Sequence, residues 1–338
     1  MRAKRFSVLL LIVLWGAGVA LAQTEWADYP VNTVLGPGDP GTWDELARVE
    51  PAVLFDGSVY HMWFAGYDAT WSGGGLGHAT SPDGVVWTVL PLDPVLPPGD
   101  PGEWDELIWN RPAVIYDGSV FHMWYGGEDA QGIVRGGYAT SLDGITWAKY
   151  PGNPVFDVGP PGSWDSGHAR PGAVVLDGDT YRMWYSGWGY QYYGAIGYAE
   201  STDGVNWTKW LYPVLDGASP PAWDVEVFNP TVVFDGFVYH LLYGGYDRSG
   251  GDWMVGYAFS NIPLAFHRHL DKSVMSVDGE DVYVLPVVFD GSTWHGWYTS
   301  LSLSGEWGIY YATSTCCAGI FGDDFETGDT SLWSTTVP

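Results

Sequence analysis

The sequence has 338 residues, a formal net charge of −27 at pH 7 and 46% hydrophobic residues, among them 21 Trp and 22 Tyr. This acidity disfavours nucleic acid and anionic membranes as partners, because both repel a negatively charged surface. The two cysteines, Cys316 and Cys317, are adjacent and exclude a framework of disulfides. The length and the aromatic content nevertheless allow one large all-β domain, or two smaller ones, to fold on apolar burial alone.

The first 22 residues are typical of a secretory signal peptide. Basic residues at positions 2, 4 and 5 precede an apolar run over residues 6–14, and Ala20 and Ala22 supply small side chains for cleavage before Gln23. A membrane anchor is the alternative, but glycines interrupt the apolar stretch and no further run nears the roughly 20 residues that a span needs. We therefore expect a secreted chain without a membrane span, located outside the cell, at its surface or in the periplasm.

Five related segments follow at a nearly constant distance. Each contains an Asp-Gly pair, and the pairs begin at residues 56, 117, 177, 235 and 290, so that successive pairs are 61, 60, 58 and 55 residues apart. A fixed period of this size indicates a repeat architecture, and four short strands fit into each unit. We predict an all-β fold, a five-bladed β-propeller of four-stranded blades over residues 23–315.

The second unit shows the predicted strands most plainly. They cover Ala113–Tyr116, Val120–Tyr125, Gly137–Ser141 and Ile145–Lys149. An Asp-Gly hairpin joins the first two, because both central positions of such a turn need positive φ. The motif S-x-D-G-x-x-W, present in YATSLDGITW at residues 138–147, is interpreted as the turn before the fourth strand. A catalytic role is disfavoured because the motif recurs in several units.

The fifth unit lacks a fourth strand, because its repeat ends at Thr315. The missing strand is predicted at the other end of the chain, where WADYPVNTV at residues 26–34 matches WAKYPGNPV at residues 147–155. The N-terminal strand would then complete the last blade and close the ring, which removes open sheet edges. Residues 316–338 depart from the repeat and resemble short C-terminal endings of secreted bacterial proteins, so we interpret them as an export or attachment tag.

The two faces of the predicted ring differ in sequence. One face carries short Asp-Gly turns that are nearly identical, and the other carries long loops that differ between blades, which is where functional sites usually lie. Trp-Asp recurs in four segments that enter inner strands, so Asp44, Asp105, Asp165 and Asp224 are predicted to brace loops. The residues predicted to point into the central funnel are Glu45, Arg48, Glu50, Glu106, Trp109, Asn110, Arg111, His168, Arg170, Glu226 and Asn229.

The sequence contains no His-Glu-x-x-His motif, no cysteine cluster of the metal-binding type and no Gly-x-Ser-x-Gly motif. Neither a zinc hydrolase nor an α/β-hydrolase is therefore supported. The many carboxylates are compatible with Ca²⁺, but no EF-hand loop is present. We predict no metal and no cofactor.

At its repeats the chain resembles the five-bladed β-propeller glycosidases, the superfamily of glycoside hydrolase families 32, 43 and 130 that includes invertases, levansucrases and arabinanases. The resemblance covers about residues 26–315 and is carried by the fivefold count, the YATSxDGxxW turn and the residue-Pro start of each inner strand. It implies an oligosaccharide or polysaccharide as partner and identifies architecture better than activity. We expect a monomer.

The resemblance also implies candidate catalytic residues. Families 32 and 43 use an acidic residue directly before a proline as nucleophile or base, and Glu50 in VEP occupies that place. Their acid is a Glu near the proline of a later blade, and Glu226 is the nearest match, with Glu106 as the alternate. Glycosidic cleavage needs two carboxyl groups across the scissile bond, about 5 Å apart for retention or 6.5–9.5 Å for inversion, with one kept protonated.

Where the families have a third acidic residue before proline, this chain has Arg111 or Arg170. Together with Arg48 these arginines would bind a carboxylate, a sulfate or a phosphate, and the alternative is that each holds a loop by pairing with a neighbouring Glu. Aromatic side chains that would stack on sugar rings include Trp71, Trp109, Trp188 and Tyr192.

The leading hypothesis is a secreted glycosidase-like propeller that acts on an extracellular carbohydrate. A non-catalytic carbohydrate-binding or surface-interaction propeller is the alternative, and the departures from the family's carboxylate pattern favour it. A sialidase is a third interpretation, supported by the arginines, but its Asp-box has one more residue before the glycine and it usually has six blades.

Overall fold

The structure, a computed structural model, describes residues 26–71, 74–108, 111–189, 194–249, 251–269, 273–276, 281–290, 292–301 and 305–315. The predicted signal peptide and the C-terminal tail with Cys316 and Cys317 lie outside these residues, as do three predicted site residues, Trp109, Asn110 and Tyr192. The described residues form strands and turns, and none of them belongs to a helix long and apolar enough to cross a membrane.

Within the described residues, twenty-one strands form five blades, which are numbered here by the order of their inner strands. Blade 1 contains β2 (Ala47–Phe55), β3 (Tyr60–Tyr67), β4 (Gly74–Ser81) and β5 (Thr88–Val89). Blade 2 contains β6 (Leu107–Ile108), β7 (Ala113–Tyr116), β8 (Phe121–Glu128), β9 (Val134–Ser141) and β10 (Ala148–Lys149). Blade 3 contains β11 (His168–Asp177), β12 (Thr180–Trp188), β13 (Ala195–Ser201) and β14 (Thr208–Lys209).

Blade 4 contains β15 (Glu226–Phe234), β16 (Tyr239–Tyr246), β17 (Met254–Ser260) and β18 (His267–Arg268). Blade 5 contains β19 (Val287–Phe289), β20 (Thr293–Leu301), β21 (Trp307–Thr315) and, from the other end of the chain, β1 (Ala27–Asp28). β1 pairs antiparallel with β21, with Ala27 opposite Thr313. The prediction of an all-β, five-bladed propeller whose N-terminal strand completes the last blade is therefore confirmed.

The apolar core lies between the blades. Five clusters of buried residues each join two adjacent blades, and the cluster that contains Met62 of blade 1 and Trp297 of blade 5 joins the last blade to the first. A tryptophan on the second strand of a blade reaches the turn of the next blade in four cases. Trp63 donates to Gly144 O, Trp124 to Gly204 O, Trp184 to Pro263 O and Trp297 to Gly84 O.

The repeated S-x-D-G-x-x-W motif forms a self-contained turn. In blade 2, Asp143 Oδ1 accepts hydrogen bonds from Ser141 Oγ at 2.9 Å and from the backbone N–H of Ile145 and Thr146. Gly144 has φ of 74°, which favours glycine at this position. Because the carboxylate occupies these two N–H groups, β10 begins only at Ala148, later than the predicted start at Ile145.

Candidate active site

A cavity of about 440 Å³ opens among blades 1, 3, 4 and 5 on the face that carries the divergent loops. Six of the predicted site residues line it: Glu50, His168, Arg170, Trp188, Glu226 and Asn229. Its wall also contains residues that the sequence did not single out, among them Phe228, Tyr246, Arg248, Trp253 and Tyr283. The cavity therefore combines carboxylates, guanidinium groups and aromatic rings.

Glu50 and Asn229 have the same unusual backbone. Each directly precedes a proline and has positive φ, 51° for Glu50 and 53° for Asn229. The strand register shifts at both places, between Val49 and Ala52 and between Phe228 and Thr231. A left-handed conformation in a residue other than glycine costs about 1–3 kcal/mol and clusters at functional sites.

A hydroxyl group of the preceding blade supports each of these two residues. The backbone N–H of Glu50 donates to Thr299 Oγ1 at 2.6 Å, and that of Asn229 donates to Ser186 Oγ at 2.9 Å. Thr299 and Ser186 occupy one equivalent position on the second strand, where the other blades have Ala65, Gly126 and Gly244. This pairing of a hydroxyl residue with the next blade's residue-Pro start is a sequence signal that the motif analysis missed.

The Glu50 carboxylate is oriented by the backbone of the next inner strand. Arg111 N–H donates to Glu50 Oε2 at 3.0 Å. This contact joins blades 1 and 2 and fixes one carboxylate oxygen of a residue that lines the cavity. The carboxylate therefore has a defined orientation toward the space that a ligand would enter.

Glu226 at the start of β15 is the more buried carboxylate, with a residue exposure of 8%. Burial raises its pKa above the ordinary value, and the Arg248 guanidinium opposes that rise. Arg248 Nε forms an ion pair with Glu226 Oε1. Arg248 lies in the loop that follows β16, and it was missed because it has no counterpart in the repeated segments.

His168 and Arg170 line the blade 3 side of the cavity. Burial, with a smaller contribution from Arg170, lowers the pKa of His168 to about 4, so its imidazole is neutral at pH 7. The His168 and Trp188 rings lie 5.0 Å apart between centroids. Arg170 Nη2 donates to Asn229 Oδ1, which connects the adjacent blades 3 and 4.

Aromatic rings of blades 4 and 5 form another part of the cavity wall. Trp253 stacks on Tyr246 with ring centroids 5.0 Å apart, and it packs against Phe228 at 5.6 Å and Tyr283 at 5.2 Å. Asp281 fixes this wall, because its carboxylate accepts hydrogen bonds from the Trp253 backbone N–H and from the Tyr283 hydroxyl. Flat apolar rings beside charged groups provide the two contact types that bind sugars, stacking and hydrogen bonding.

Five other residues predicted for the funnel or for sugar stacking lie outside the cavity lining. One of them, Glu45, accepts the N–H of Gly41 within its own loop. Arg48 Nε donates to the buried Asp44 at 2.6 Å, and Glu106 Oε2 accepts the N–H of Gly102 at 2.6 Å within its own loop. Trp71 is 43% exposed and packs against Tyr67. Arg111 is 6% exposed, and its guanidinium donates to Thr231 Oγ1 and to the carbonyl oxygens of Gly172 and Pro230.

The four Trp-Asp aspartates are buried, and each binds a basic residue. Lys149 pairs with Asp105, Lys209 with Asp165 and Arg268 with Asp224, all from fourth strands. In blade 1 the equivalent fourth-strand residue is Val89, and Arg48 supplies the missing cation to Asp44. Arg48 therefore pairs with Asp44 in place of a fourth-strand cation, which accounts for its position outside the cavity lining.

Among the residues with described positions, no group of three or more His, Cys, Asp or Glu side chains could hold a metal ion.

A five-bladed propeller with two carboxylates in a funnel of aromatic and cationic side chains defines the chain as a member of the propeller class of carbohydrate-active proteins. Residues 51–226 match the model of the glycosyl hydrolases family 32 N-terminal domain. The chain belongs to this family, and its function is glycoside hydrolase-like.

Two related proteins match parts of the chain. The uncharacterized protein MT1551 of Mycobacterium tuberculosis is 29% identical over 66% of this chain and 76% of its own length. A β-1,2-mannobiose phosphorylase of Thermoanaerobacter sp. is 30% identical over 27% of this chain and 33% of its own length.

Two solved structures share the fold. A glycosyl hydrolase from Bacteroides ovatus superposes with a TM-score of 0.62 at 18% identity, over 85% of this chain and 92% of its own. A family 32 β-fructofuranosidase from Bombyx mori superposes with a TM-score of 0.64 at 18% identity, over 86% of this chain and 64% of its own.

Proposed function

We propose that the chain is a secreted glycosidase that cleaves an extracellular carbohydrate in the cavity between blades 1, 3, 4 and 5. Glu50 acts as base or nucleophile and Glu226 acts as the acid. The observation that carries this proposal is that two carboxylates, from inner strands of blades 1 and 4, line one cavity in different environments. Secretion is supported by the signal-like residues 1–22.

Glu226 suits the acid because a general acid must hold a proton near neutral pH. Its burial raises its pKa, which favours the protonated carboxyl. The protonated oxygen would donate to the leaving oxygen as the glycosidic bond breaks. General acid catalysis of this kind contributes about 10²- to 10⁴-fold in rate.

Glu50 suits the second role because its carboxylate is already oriented. The hydrogen bond from the Arg111 backbone and the strained backbone of Glu50 itself reduce the freedom of this group before a ligand arrives. Orientation of this kind lowers the entropic part of a barrier. Glu50 would either activate the attacking group or attack the sugar directly.

The cavity supports a substrate that presents both a sugar face and an anionic group. Trp188 and Trp253 offer rings for stacking, and Arg170 and Arg248 offer guanidinium groups for a uronic acid, a sulfate or a phosphate. The matching segment of a β-1,2-mannobiose phosphorylase supports including phosphate as a co-substrate.

A non-catalytic carbohydrate-binding propeller is the second candidate. The observation that favours it is the ion pair between Arg248 and Glu226, which opposes protonation of the proposed acid. The resemblance to the catalytic families also implies that Arg111 or Arg170 replaces their third acidic residue before proline.

The test is release of reducing sugar by the purified chain without residues 1–22 from a panel of plant, microbial and uronate-containing glycans, with and without phosphate. We expect release from at least one glycan and its loss in Glu50→Gln. Strict dependence on phosphate would identify a phosphorylase. Binding to a glycan without release from any would establish the binding propeller instead.

A further inference from the structure

Glu226, the proposed acid, forms an ion pair with Arg248 in the cavity. Arg248 Nε contacts Glu226 Oε1, and the two side chains differ in exposure, 47% for Arg248 and 11% for Glu226. An ion pair of this kind stabilises the ionised carboxylate. Without an oxyanion in the cavity, this contact favours the form of Glu226 that accepts a proton over the form that donates one.

Arg248 is placed where a ligand can reach it. It lies in the loop between β16 and β17 with φ of 64°, and it lines the cavity with a half-exposed side chain. Asp247 holds the loop, because its Oδ1 accepts the backbone N–H groups of Ser249 at 2.8 Å and Gly251 at 3.4 Å. The long side chain can therefore change partner without a change in the backbone that carries it.

An oxyanion in the cavity would compete with Glu226 for this guanidinium. Arg170 lines the same cavity, and His168 is neutral there at pH 7, so the cationic groups that face an incoming anion include Arg170 and Arg248. Glu50 and Glu226 repel an anion, which therefore binds only where a guanidinium compensates it. A bidentate contact between the oxyanion and Arg248 would leave Glu226 without this counter-charge.

We propose that Arg248 is a positioning residue that makes proton donation by Glu226 depend on an oxyanion in the cavity. The oxyanion is either a group borne by the sugar or free phosphate, and the inference rests on the proposed function. With the guanidinium bound to the oxyanion, Glu226 takes a proton from solvent and gives it to the leaving oxygen as the carbon–oxygen bond breaks. Water, deprotonated by Glu50, or phosphate then completes the new bond at the anomeric carbon.

The test follows the Glu226 carboxyl directly. The chain is labelled with ¹³C at the glutamate carboxyl carbons, and the Glu226 resonance is assigned by its loss in Glu226→Gln. We expect its titration midpoint to rise by about one to three pH units when inorganic phosphate or glucuronate saturates the cavity. In Arg248→Met the midpoint should already be high and should respond to neither probe.

The matched control is Arg135→Met, because Arg135 also forms ion pairs, with Asp129 and Asp157, but does not line the cavity. This variant should titrate as the wild type does. A response to glucuronate alone supports a sugar-borne anion, and a response to phosphate alone supports a free co-substrate. A wild-type midpoint that neither probe moves, or an Arg248→Met midpoint equal to that of the wild type, overturns the inference.

Activity separates this inference from the proposed function. If Glu50→Gln and Glu226→Gln both keep full glycan cleavage, the proposed function fails whatever the titration shows. If both variants lose cleavage, but the Glu226 titration midpoint changes neither in Arg248→Met nor with either anion, only the inference about Arg248 is wrong. A supporting result is a pH–rate profile in which the alkaline limb of Arg248→Met no longer depends on the substrate's charge.

Discussion

The turn face and the cavity face of the ring use polar residues in opposite ways. On the turn face, Asp83, Asp143 and Asp203 accept the same backbone and serine hydrogen bonds in three blades, and these contacts hold each pKa below its ordinary value. On the cavity face, Glu226 is buried beside an arginine and burial raises its pKa. The repeated aspartates are therefore partnered within their own turns, whereas Glu226 is paired with a half-exposed arginine that lines the cavity.

Arg111 lies in one of the segments that enter an inner strand, yet its side-chain contacts hold the blades together. It donates to acceptors in blades 3 and 4, and burial lowers its pKa to about 10, so it remains charged at pH 7. Arg111→Met should reduce the free energy of unfolding by about 3–5 kcal/mol, because buried acceptors lose their donor. Urea denaturation measures this. Arg135→Met, with partly exposed ion pairs, should change it by less than about 1 kcal/mol, and equal effects would contradict this role of Arg111.

Trp124 tests the contacts that repeat between blades. Its indole is fully buried and donates to Gly204 O at 2.7 Å. Trp124→Phe should cost about 1–3 kcal/mol in unfolding free energy, from the lost hydrogen bond and the space left by the smaller ring. Thermal and urea unfolding check the value, and the exposed Trp210 provides the control as Trp210→Phe. A loss of equal size in both variants would show that the inter-blade bond is not the cause.

Glu226→Gln should have the smallest effect on the free energy of unfolding, and at pH 7 it should stabilise the fold where the other two substitutions destabilise it. Because its pKa is raised in the folded chain, the stability that its protonated form contributes is complete below the unfolded pKa and is lost as pH rises through the folded pKa. Glu226→Gln cannot ionise, so it should be more stable than the wild type at pH 7 by a few tenths of a kcal/mol and equal to it at about pH 3.5. Unfolding in urea at both pH values measures the difference, with Glu106→Gln as control. A variant that is less stable at pH 7 would contradict the raised pKa.

The repeats were sufficient to predict the architecture, because each blade is built from the same strands and turns with the same sequence motifs. The Asp-Gly spacing predicted five blades, and the match between residues 26–34 and 147–155 predicted the pairing of β1 with β21. Strand ends were less predictable. β8 continues to Glu128 beyond the predicted end at Tyr125, because Gly127 and Glu128 pair with β6 on one side and with β9 on the other.

The cavity was only partly predictable, for a physical reason that the individual residues show. Glu50, His168 and Arg170 lie in segments that can be aligned on their prolines, so their place in the ring follows from the repeat. Arg248 and Trp253 lie in or beside a loop without a counterpart, and their place depends on how that loop folds back. Arg48 was assigned to the funnel because the alignment could not show that Val89 leaves Asp44 without a fourth-strand cation.

The measurement that tests the central claim most directly is kcat/KM for three variants, Glu50→Gln, Glu226→Gln and Glu106→Gln, on the glycan that the panel selects. All three remove one carboxylate, but only the first two remove it from the cavity. We predict a loss of about 10²- to 10⁴-fold for Glu50→Gln and Glu226→Gln, and a change of less than about twofold for Glu106→Gln. Full activity in either of the first two, or a comparable loss in Glu106→Gln, would contradict the assignment of the catalytic pair.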